Sequence, residues 1–345
     1  MDPQETAATL KRWALEAGFT RAGIASLEPL DRGGEALRRW LERGDHAGMH
    51  WMARRSQRRA DPAQLLPGAR TVLCVALQYY PLRGAVEPAG DLWPRVARYA
   101  RGRDYHDVMG RQLKALAARI RAAYPLCGTR PYVDTGPLLE RELAARAGLG
   151  AVGKNTNLLD RQWGSWFLLG ELLLTLELPS DTPVSDLCGR CTRCLDACPT
   201  GALAEPYRLD SNRCISYWTI EHRGELPEKV REITGDWVFG CDICQEVCPW
   251  NHRPRCGEHP QLDLPPERAA LDLAGLLDLD RAGYLERFRR SPIKRVKLAG
   301  LRRNAAVAMG NRRDRRYIPA LTRALEADEP MVRRHAAWAL ERIGG

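Results

Sequence analysis

Eight cysteines between residues 188 and 248 constrain this 345-residue chain more than any other feature. A first run has the spacing C-x2-C-x2-C-x3-C-P and a second run has C-x2-C-x3-C-P, with one isolated cysteine between them. The first spacing is the bacterial pattern for a [4Fe–4S] cluster, in which the fourth cysteine ligates the other cluster of a two-cluster protein. The chain is therefore predicted to hold two such clusters.

The cysteines divide into two sets of four. The second run lacks its first cysteine, because Val238 stands where a repeat of the first run would put one. The last cysteine of each run then belongs with the other run, and the isolated cysteine completes the second set. The first set is Cys188, Cys191, Cys194 and Cys248, and the second set is Cys198, Cys214, Cys241 and Cys244.

Two other interpretations of the cysteines are a pair of zinc sites and a disulfide framework. Zinc sites usually close one ligand pair with a second pair or with histidines, whereas these runs interlock and each ends in Cys-Pro. Eleven cysteines without an export signal indicate a reducing compartment and metal ligation. No stretch approaches the roughly 20 apolar residues that span a bilayer, so we expect a cytoplasmic protein without a membrane partner.

The net charge of +10 is concentrated at the C-terminal end. Residues 281–345 hold 17 Lys and Arg against 6 Asp and Glu, and the preceding residues hold 36 against 37. The Ala-rich segments 303–308 and 334–339 repeat at a period of 31 residues, as in paired-helix repeats of the HEAT type. We expect an all-α basic domain over 259–345, with phosphate contacts from Arg302, Arg303, Arg333 and Arg334. A solvated charged face is the alternative.

Residues 1–180 are predicted to form an α/β domain with a mixed sheet, because strand and helix patterns alternate. The expected strands are 22–25, 71–79, 130–133 and 167–178, and a Pro- and Gly-rich loop is expected to about residue 92. Gly148, Gly150 and Gly153 formally match a dinucleotide-binding fingerprint. That fingerprint needs a strand before it and a helix after it, but here a helix pattern comes first, so we predict a glycine-rich turn.

Two polar segments of this domain allow two interpretations each. Asp134 lies between a predicted strand and a helix predicted at 138–147, so it is either the cap of that helix or an acid directed into a cofactor cavity. Residues 98–106 (RYARGRDYH) precede another predicted helix, where Asp104 is either its cap or part of a loop that grips an anionic ligand.

With these parts in order, the chain resembles the epoxyqueuosine reductase family over nearly its whole length. The family's enzymes use iron–sulfur clusters and cobalamin in the last step to queuosine in tRNA. The runs that carry the resemblance are RYARGRDYH at 98–106, VDTG at 133–136, GKN at 153–155, CGRCTRCLDACPTGA at 188–202, RCISY at 213–217 and GCDICQEVCP at 240–249.

The resemblance implies a base-off cobalamin held by the α/β domain against a ferredoxin-like domain of residues 181–258 with two [4Fe–4S] clusters. Asp134 corresponds to the family's catalytic acid, and it is a suitable proton donor if burial raises its pKa. Ser216 and His222 lie where the family meets the cofactor or tRNA. The implied cobalamin contacts are Arg59, Ala97, Asp134, Leu158, Leu169, Ser216 and Asp242, with His222 assigned to tRNA.

The function implied by the resemblance is reduction of epoxyqueuosine to queuosine at the wobble position of a tRNA anticodon stem-loop. An external donor would supply electrons through both clusters, and the protein would be a monomer. Three alternatives remain open at this point: an iron–sulfur electron carrier, a cobalamin reductase of a small organic substrate, and a nucleic-acid-binding protein with structural clusters. Corrinoid binding, salt-insensitive activity on a free small molecule, and the effect of Asp134→Ala would separate them.

Overall fold

The computed structural model describes residues 2–82, 93–265, 268 and 272–344. Of the loop expected to end at about residue 92, residues 83–92 lie outside the described residues. The strands are β1 Arg21–Ser26, β2 Thr71–Gln78, β3 Arg95–Val96, β4 Thr129–Tyr132, β5 Ala151–Val152, β6 Leu158–Leu159, β7 Phe167–Leu174 and β8 Trp237–Phe239. The helices are α1 Pro3–Glu16, α2 Asp31–Glu42, α3 Ser56–Ala60, α4 Tyr105–Ala123, α5 Glu140–Arg146, α6 Arg193–Asp196, α7 Glu228–Ile233, α8 Ile243–Glu246, α9 Leu273–Leu277, α10 Arg281–Arg287, α11 Lys297–Arg312, α12 Ile318–Ala324 and α13 Pro330–Gly344.

The central sheet has four strands in the order β1-β2-β7-β4, and all three of its pairings are antiparallel. Ser26 at the end of β1 pairs with Thr71 at the start of β2. The helical segment between them therefore leaves the sheet and re-enters it at the same end of the strands. The one parallel pairing among the described strands joins β3 to β8 in a separate two-stranded sheet. The expected mixed sheet is corrected in this respect: both pairing types occur, but in different sheets.

Both faces of the sheet are buried. Along β2, Leu73, Val75 and Leu77 pack with α1 and α4, whereas Val72, Cys74 and Ala76 pack on the opposite face, where α5 lies. Successive side chains of a strand point to opposite faces, which explains why the whole of β2 reads as apolar. The sheet thereby fixes the ends of β4 and β7, beside which a large cavity opens.

Of the two aspartates considered as helix caps, Asp104 caps its helix and Asp134 does not. Asp104 caps α4 as expected, since its Oδ1 accepts a hydrogen bond from the His106 amide at 3.1 Å. Asp134 does not cap α5, which begins at Glu140 and has Leu139 at its N-cap, with no side-chain cap hydrogen bond. Asp134 lies well before that N-cap position and has a positive φ of 55°. The Asp134 side chain is therefore free to serve the cavity.

The C-terminal helices pack through small residues. Ala305, Ala306 and Ala308 on α11 are fully buried, as are Ala336 and Ala339 on α13. A Cβ atom added at Gly310 would lie 2.8 Å from the ring of Trp338 and 2.9 Å from Cα of Ala339, so glycine is required for this close approach. Within the part of the chain that the structure describes, no helix has the length and apolar character to cross a membrane.

Candidate active site

A cavity of about 380 Å³ opens between the sheet domain and the cysteine-rich segment. Its wall is built from the ends of β2 and β7, the turn between β5 and β6, the loop before α5, and three segments that carry cysteines. The residues of this wall that the sequence had singled out are Ala97, Asp134, Leu158, Leu169, Ser216 and Asp242. The cavity thus brings together residues that are more than 140 positions apart in the chain.

The two predicted cysteine sets lie in two separate places. Cys198, Cys214, Cys241 and Cys244 all line the large cavity. Cys188, Cys191, Cys194 and Cys248 all line a second, smaller cavity of about 170 Å³. Among the described residues, no three or more His, Cys, Asp or Glu side chains are placed so that they could together hold a single metal ion.

The turn Gly153–Asn157 lies between the two cysteine sets. The Lys154 ammonium donates to the carbonyl oxygens of Gly189 at 2.7 Å and Cys191 at 3.0 Å, and its amide approaches the Cys188 sulfur at 3.4 Å. Asn155 donates its side-chain amide to the Cys244 carbonyl at 3.3 Å. The glycine-rich segment is thus a turn of the β5–β6 hairpin, as expected, and it holds both cysteine segments from one side.

Asp134 belongs to a chain of hydrogen bonds that ends at Asp104. His106 contacts Asp104 Oδ1 through Nδ1 at 2.7 Å and Asp134 Oδ2 through Nε2 at 3.2 Å. The Asp134 side chain is 55 % exposed, which fits a position at the cavity mouth. Since an imidazole ring donates from both nitrogens only when it is protonated, this arrangement favours an imidazolium between two carboxylates.

The pKa values agree with that assignment. Burial lowers the pKa of His106, but the two carboxylates outweigh burial and raise it to about 9. Burial raises the pKa of Asp134, but the hydrogen bonds from His106 and Tyr105 and the charges of His106 and Arg295 together outweigh it and hold the pKa below its usual range. The condition stated for Asp134 as a proton donor, a pKa above its ordinary value, is therefore not met: at neutral pH the proton of this pair is on His106.

Arg59 does not line the cavity. Its side chain is buried, and Nη1 points to the carbonyl oxygens of Gly136 and Leu138 at 3.4 Å each. Burial lowers its pKa. The guanidinium therefore lies under the loop that carries Asp134 and supports that loop from behind.

Asp242 is fully enclosed beside the second cysteine set. Its Oδ2 accepts from the Arg98 amide at 2.7 Å, and its Oδ1 accepts from the Gln245 side chain at 3.2 Å. Burial raises its pKa to about 6. Asp242 therefore fixes the start of the 98–106 segment against the cysteine-rich segment.

Arg303 is not a surface residue, and its assignment as a phosphate contact is corrected. The side chain is fully buried on α11, and its guanidinium donates to the carbonyl oxygens of Trp218, His222 and Gly224 and to the Asn304 side chain. The 31-residue repeat placed it correctly on a helix but could not indicate which face it occupies. Arg303 ties the segment after Cys214 to the C-terminal helices.

Replacing Arg303 with methionine is expected to lower the free energy of unfolding by roughly 3 kcal/mol, because several buried carbonyl groups lose a charged donor. Urea unfolding of the reconstituted chain measures this. The control is Arg287→Met, which removes the same charge from an exposed position on α10. Unchanged stability with weakened tRNA binding would restore Arg303 as a phosphate contact.

The other predicted tRNA contacts differ in exposure. Arg302 is 17 % exposed and bonds to the Leu277 carbonyl and Glu329, so it too has a structural role. Arg333 donates to the carbonyl oxygens of Ala327 and Asp328. Arg334 is 56 % exposed and paired with Glu225. His222 donates to the Glu225 carbonyl at 2.9 Å, which brings His222 and Arg334 to one surface.

Several residues at the site were not predicted from the sequence. Lys294 and Arg295 are both exposed in the turn before α11. The charge of Lys294 lowers the pKa of Asp104, and the charge of Arg295 lowers the pKa of Asp134. Glu140 lines the cavity beneath Asp134, and Glu171 is buried behind Glu140. One signal was available: a glutamate inside the apolar run of β7 has to be paired or neutral if that strand is buried.

Three family models match three successive parts of the chain. Residues 59–135 match "Epoxyqueuosine reductase QueG, DUF1730", residues 187–251 match a 4Fe-4S double cluster binding domain, and residues 299–345 match HEAT repeats. The epoxyqueuosine reductase of Xanthomonas campestris is 44 % identical, with 99 % of this chain and 98 % of that protein aligned. The chain belongs to the epoxyqueuosine reductase family. It is therefore an oxidoreductase.

Further members of the epoxyqueuosine reductase family agree in sequence and in structure. The Escherichia coli enzyme is 38 % identical over 99 % of this chain and 90 % of its own length. An epoxyqueuosine reductase solved with an epoxyqueuosine-modified stem-loop of tRNA-Tyr superposes with a TM-score of 0.92, at 32 % identity over 99 % of this chain and 91 % of that chain. The Bacillus subtilis enzyme, solved with its catalytic loop swung out of the active site, gives 0.91 at 32 % identity and the same coverage.

Proposed function

We propose that this reductase converts epoxyqueuosine to queuosine at the wobble position of tRNA, using a base-off cobalamin and two [4Fe–4S] clusters. The observation that supports this most is the shared cavity, which is lined both by Asp134 and by all four cysteines of the second set. An acid and an electron-carrying cluster would then face one substrate space. An external donor would supply the electrons.

The cysteine sets are proposed to hold one cluster each. The first set would ligate a cluster in the smaller cavity, beside Lys154. The second set would ligate a cluster in the wall of the large cavity, beside Asp242. A pair of one-electron carriers in series suits a reaction that consumes two electrons.

The lining of the large cavity fits a base-off cobalamin. Leu158, Leu169 and Ala97 offer apolar surface for a flat macrocycle, whereas Asn157 and Ser216 offer hydrogen-bonding groups for its peripheral amides. When bound, cobalamin would supply a cobalt centre that takes up electrons and reacts with an epoxide carbon. Arg59 is proposed to act through the Asp134 loop, since it donates to carbonyl groups of that loop.

Asp134 and His106 are proposed to handle the protons. Reduction of an epoxide to an alkene takes up two electrons and two protons and releases water, so the departing oxygen must be protonated. His106 would give its proton to Asp134 through their hydrogen bond, and Asp134, at the cavity mouth, would pass that proton to the departing oxygen. Asp104 holds the other ring nitrogen and keeps His106 charged.

The substrate base is proposed to enter from an anticodon stem-loop held by basic residues around the mouth. A base must leave its stack to reach a catalytic cavity. The charges of Lys294 and Arg295 reach the carboxylates of the site and lower their pKa values, and Arg334 adds positive charge beside His222, since both contact Glu225. Such contacts to phosphates would position the RNA without reading its sequence.

Replacing Lys294 with methionine is expected to weaken stem-loop binding uniformly across tRNA sequences. It should also reduce the slope of log affinity against log salt by about 1, because one phosphate contact is lost. Fluorescence anisotropy at several salt concentrations measures both. Lys114→Met removes the same charge from an exposed position on α4 and serves as the control. Equal slopes for the two variants would remove Lys294 from the interface.

The three functions are proposed to follow the domain division 1–180, 181–258 and 259–345. The first domain would hold cobalamin and Asp134, the second the clusters, and the third the RNA. The domains are joined closely, since β3 of the first pairs with β8 of the second and Arg303 of the third bonds to carbonyl groups of the second.

The proposed function is tested by incubating the anaerobically reconstituted chain with an epoxyqueuosine-modified stem-loop and a one-electron reductant. Mass spectrometry of the digested nucleosides should show queuosine when clusters and cobalamin are both present, and epoxyqueuosine alone when cobalamin is left out. Equal turnover of a free small epoxide and of the stem-loop would overturn the assignment to tRNA.

A further inference from the structure

Glu171 is a buried carboxyl group with no ordinary hydrogen-bond donor. It lies within β7 and is fully buried on the face that packs against α5. Within the described residues, neither of its side-chain oxygens accepts a hydrogen bond from an N–H or O–H group. Its neighbours in register across the sheet are Cys74 and Tyr132. The group in hydrogen-bonding contact with Glu171 is the carboxyl of Glu140.

Glu140 connects this buried carboxyl group to the catalytic loop. It is the first residue of α5, and its Oε1 accepts the backbone N–H of Asp134 at 2.6 Å. Asp134 has a φ of 55°, in the left-handed region that non-glycine residues rarely adopt. A strained backbone of this kind persists only where its surroundings hold it, and the bond to Glu140 is a direct restraint on it.

Two carboxyl groups in contact, one of them fully buried, are not both ionised. Burial raises the pKa of Glu171 well above its ordinary value, and burial together with the charge of Asp134 raises the pKa of Glu140 to about 7. Glu171 is the more deeply buried partner, and Glu140 accepts an amide hydrogen. The arrangement therefore assigns the proton to Glu171, which donates to an ionised Glu140.

We propose that Glu140 and Glu171 share one proton and in that state latch the Asp134 loop in the cavity. Glu140 is then a positioning residue, and Glu171 acts through it. The inference rests on the proposed function only in naming Asp134 as the acid that is positioned. Loss of the shared proton would place two negative charges together and loosen the bond to the loop.

The charge state of the Glu140–Glu171 pair depends on titratable groups of the elements that pack against it. The groups that face the pair are Asp134, Tyr105 on α4, Arg59 on α3, Arg141 on α5, and Cys74 on β2. Asp134 opposes ionisation of Glu140, and Arg141 favours it. Glu140 is ionised above its pKa of about 7, whereas Glu171 keeps its proton to a higher pH, so the loop is expected to be held best between these two pKa values and to loosen as the pH falls through the pKa of Glu140.

Hydrogen–deuterium exchange of the cofactor-free chain tests the latch without any assay of activity. Glu140→Ala and Glu171→Leu should each speed exchange in the peptide that contains Asp134 by about tenfold, since its amide loses its acceptor or the acceptor loses its charge. Glu171→Gln should keep wild-type exchange, because the glutamine N–H replaces the shared proton. Glu142→Ala, two residues further along α5, is the control and should also keep it.

A second readout uses the folded wild type, so that the proposal stands even if a core variant fails to fold. After correction for the intrinsic rate, exchange of this peptide should fall in the wild type as the pH rises through the Glu140 pKa of about 7. It should stay flat in Glu140→Gln, which cannot ionise, and Glu171→Gln should follow the wild type. A flat wild-type profile, or a Glu171→Gln protein that behaves like Glu171→Leu, would overturn proton sharing. The exchange result is independent of whether the reconstituted chain forms queuosine.

Discussion

Replacing Asp134 with alanine is expected to lower the single-turnover rate on the modified stem-loop by about 10² to 10⁴, the range that a positioned general acid contributes. The affinity for the stem-loop and for cobalamin should change little, because Asp134 is one of many residues of the wall and is 55 % exposed. Rapid-quench kinetics gives the rate, and anisotropy gives the affinity. Asp134→Asn keeps the size and hydrogen bonds but not the proton, and should be equally slow.

The pH dependence of the same rate follows from His106. Because its pKa is raised to about 9, the ring is protonated below that pH and loses its proton as the pH rises through it. The wild-type rate should therefore fall above about pH 9, and His106→Gln should remove this upper limb. A rate that is unchanged in Asp134→Ala, or a limb that persists in His106→Gln, would contradict the proton path.

Replacing Cys214 with alanine should remove one cluster and leave the other. Iron should fall from about eight to about four per chain, since each [4Fe–4S] cluster holds four. Cys214 lies with Cys198, Cys241 and Cys244 in the wall of the large cavity, so the lost cluster is the one next to the substrate. Activity should be lost, while the cluster of the first set should still be reduced by dithionite.

Cys256 provides the matched control for Cys214. It is a half-exposed cysteine outside both sets, and Cys256→Ala should keep about eight iron and full activity. Iron analysis with electron paramagnetic resonance of the reduced protein distinguishes the variants. Eight iron in the Cys214 variant would show that another residue completes the second set.

The sequence predicted the strands of the central sheet because a strand depends on a short-range pattern. The division of the cysteines into two sets also comes from short-range spacing and stays a prediction, although each set lines its own cavity. Val238, at the position expected for a cysteine, is fully buried in the core shared with the C-terminal helices. A fourth ligand of the second set would therefore have to come from another segment of the chain. Cys214 is the one other cysteine within the run, and its role as that ligand stays a prediction.

The electrostatics of the site was not available from the sequence. The pKa of Asp134 depends on His106, which is 28 positions away and meets it only after α4 and the β4 loop are packed together. Arg303 shows the same limit, since nothing in the repeat tells a buried arginine from an exposed one until the segment 218–224 covers it. Charge patterns give the composition of a surface, but tertiary packing decides which charges remain on it.

One cavity is proposed to hold the cobalamin beside the second cluster and Asp134. Electron paramagnetic resonance of the anaerobically reconstituted chain, with cob(II)alamin bound and the clusters reduced, tests this arrangement. We expect a cob(II)alamin signal broadened or split by a neighbouring reduced cluster in the wild type, and a simple signal in Cys214→Ala. A simple signal in the wild type with both clusters reduced, or no retained corrinoid, would contradict it.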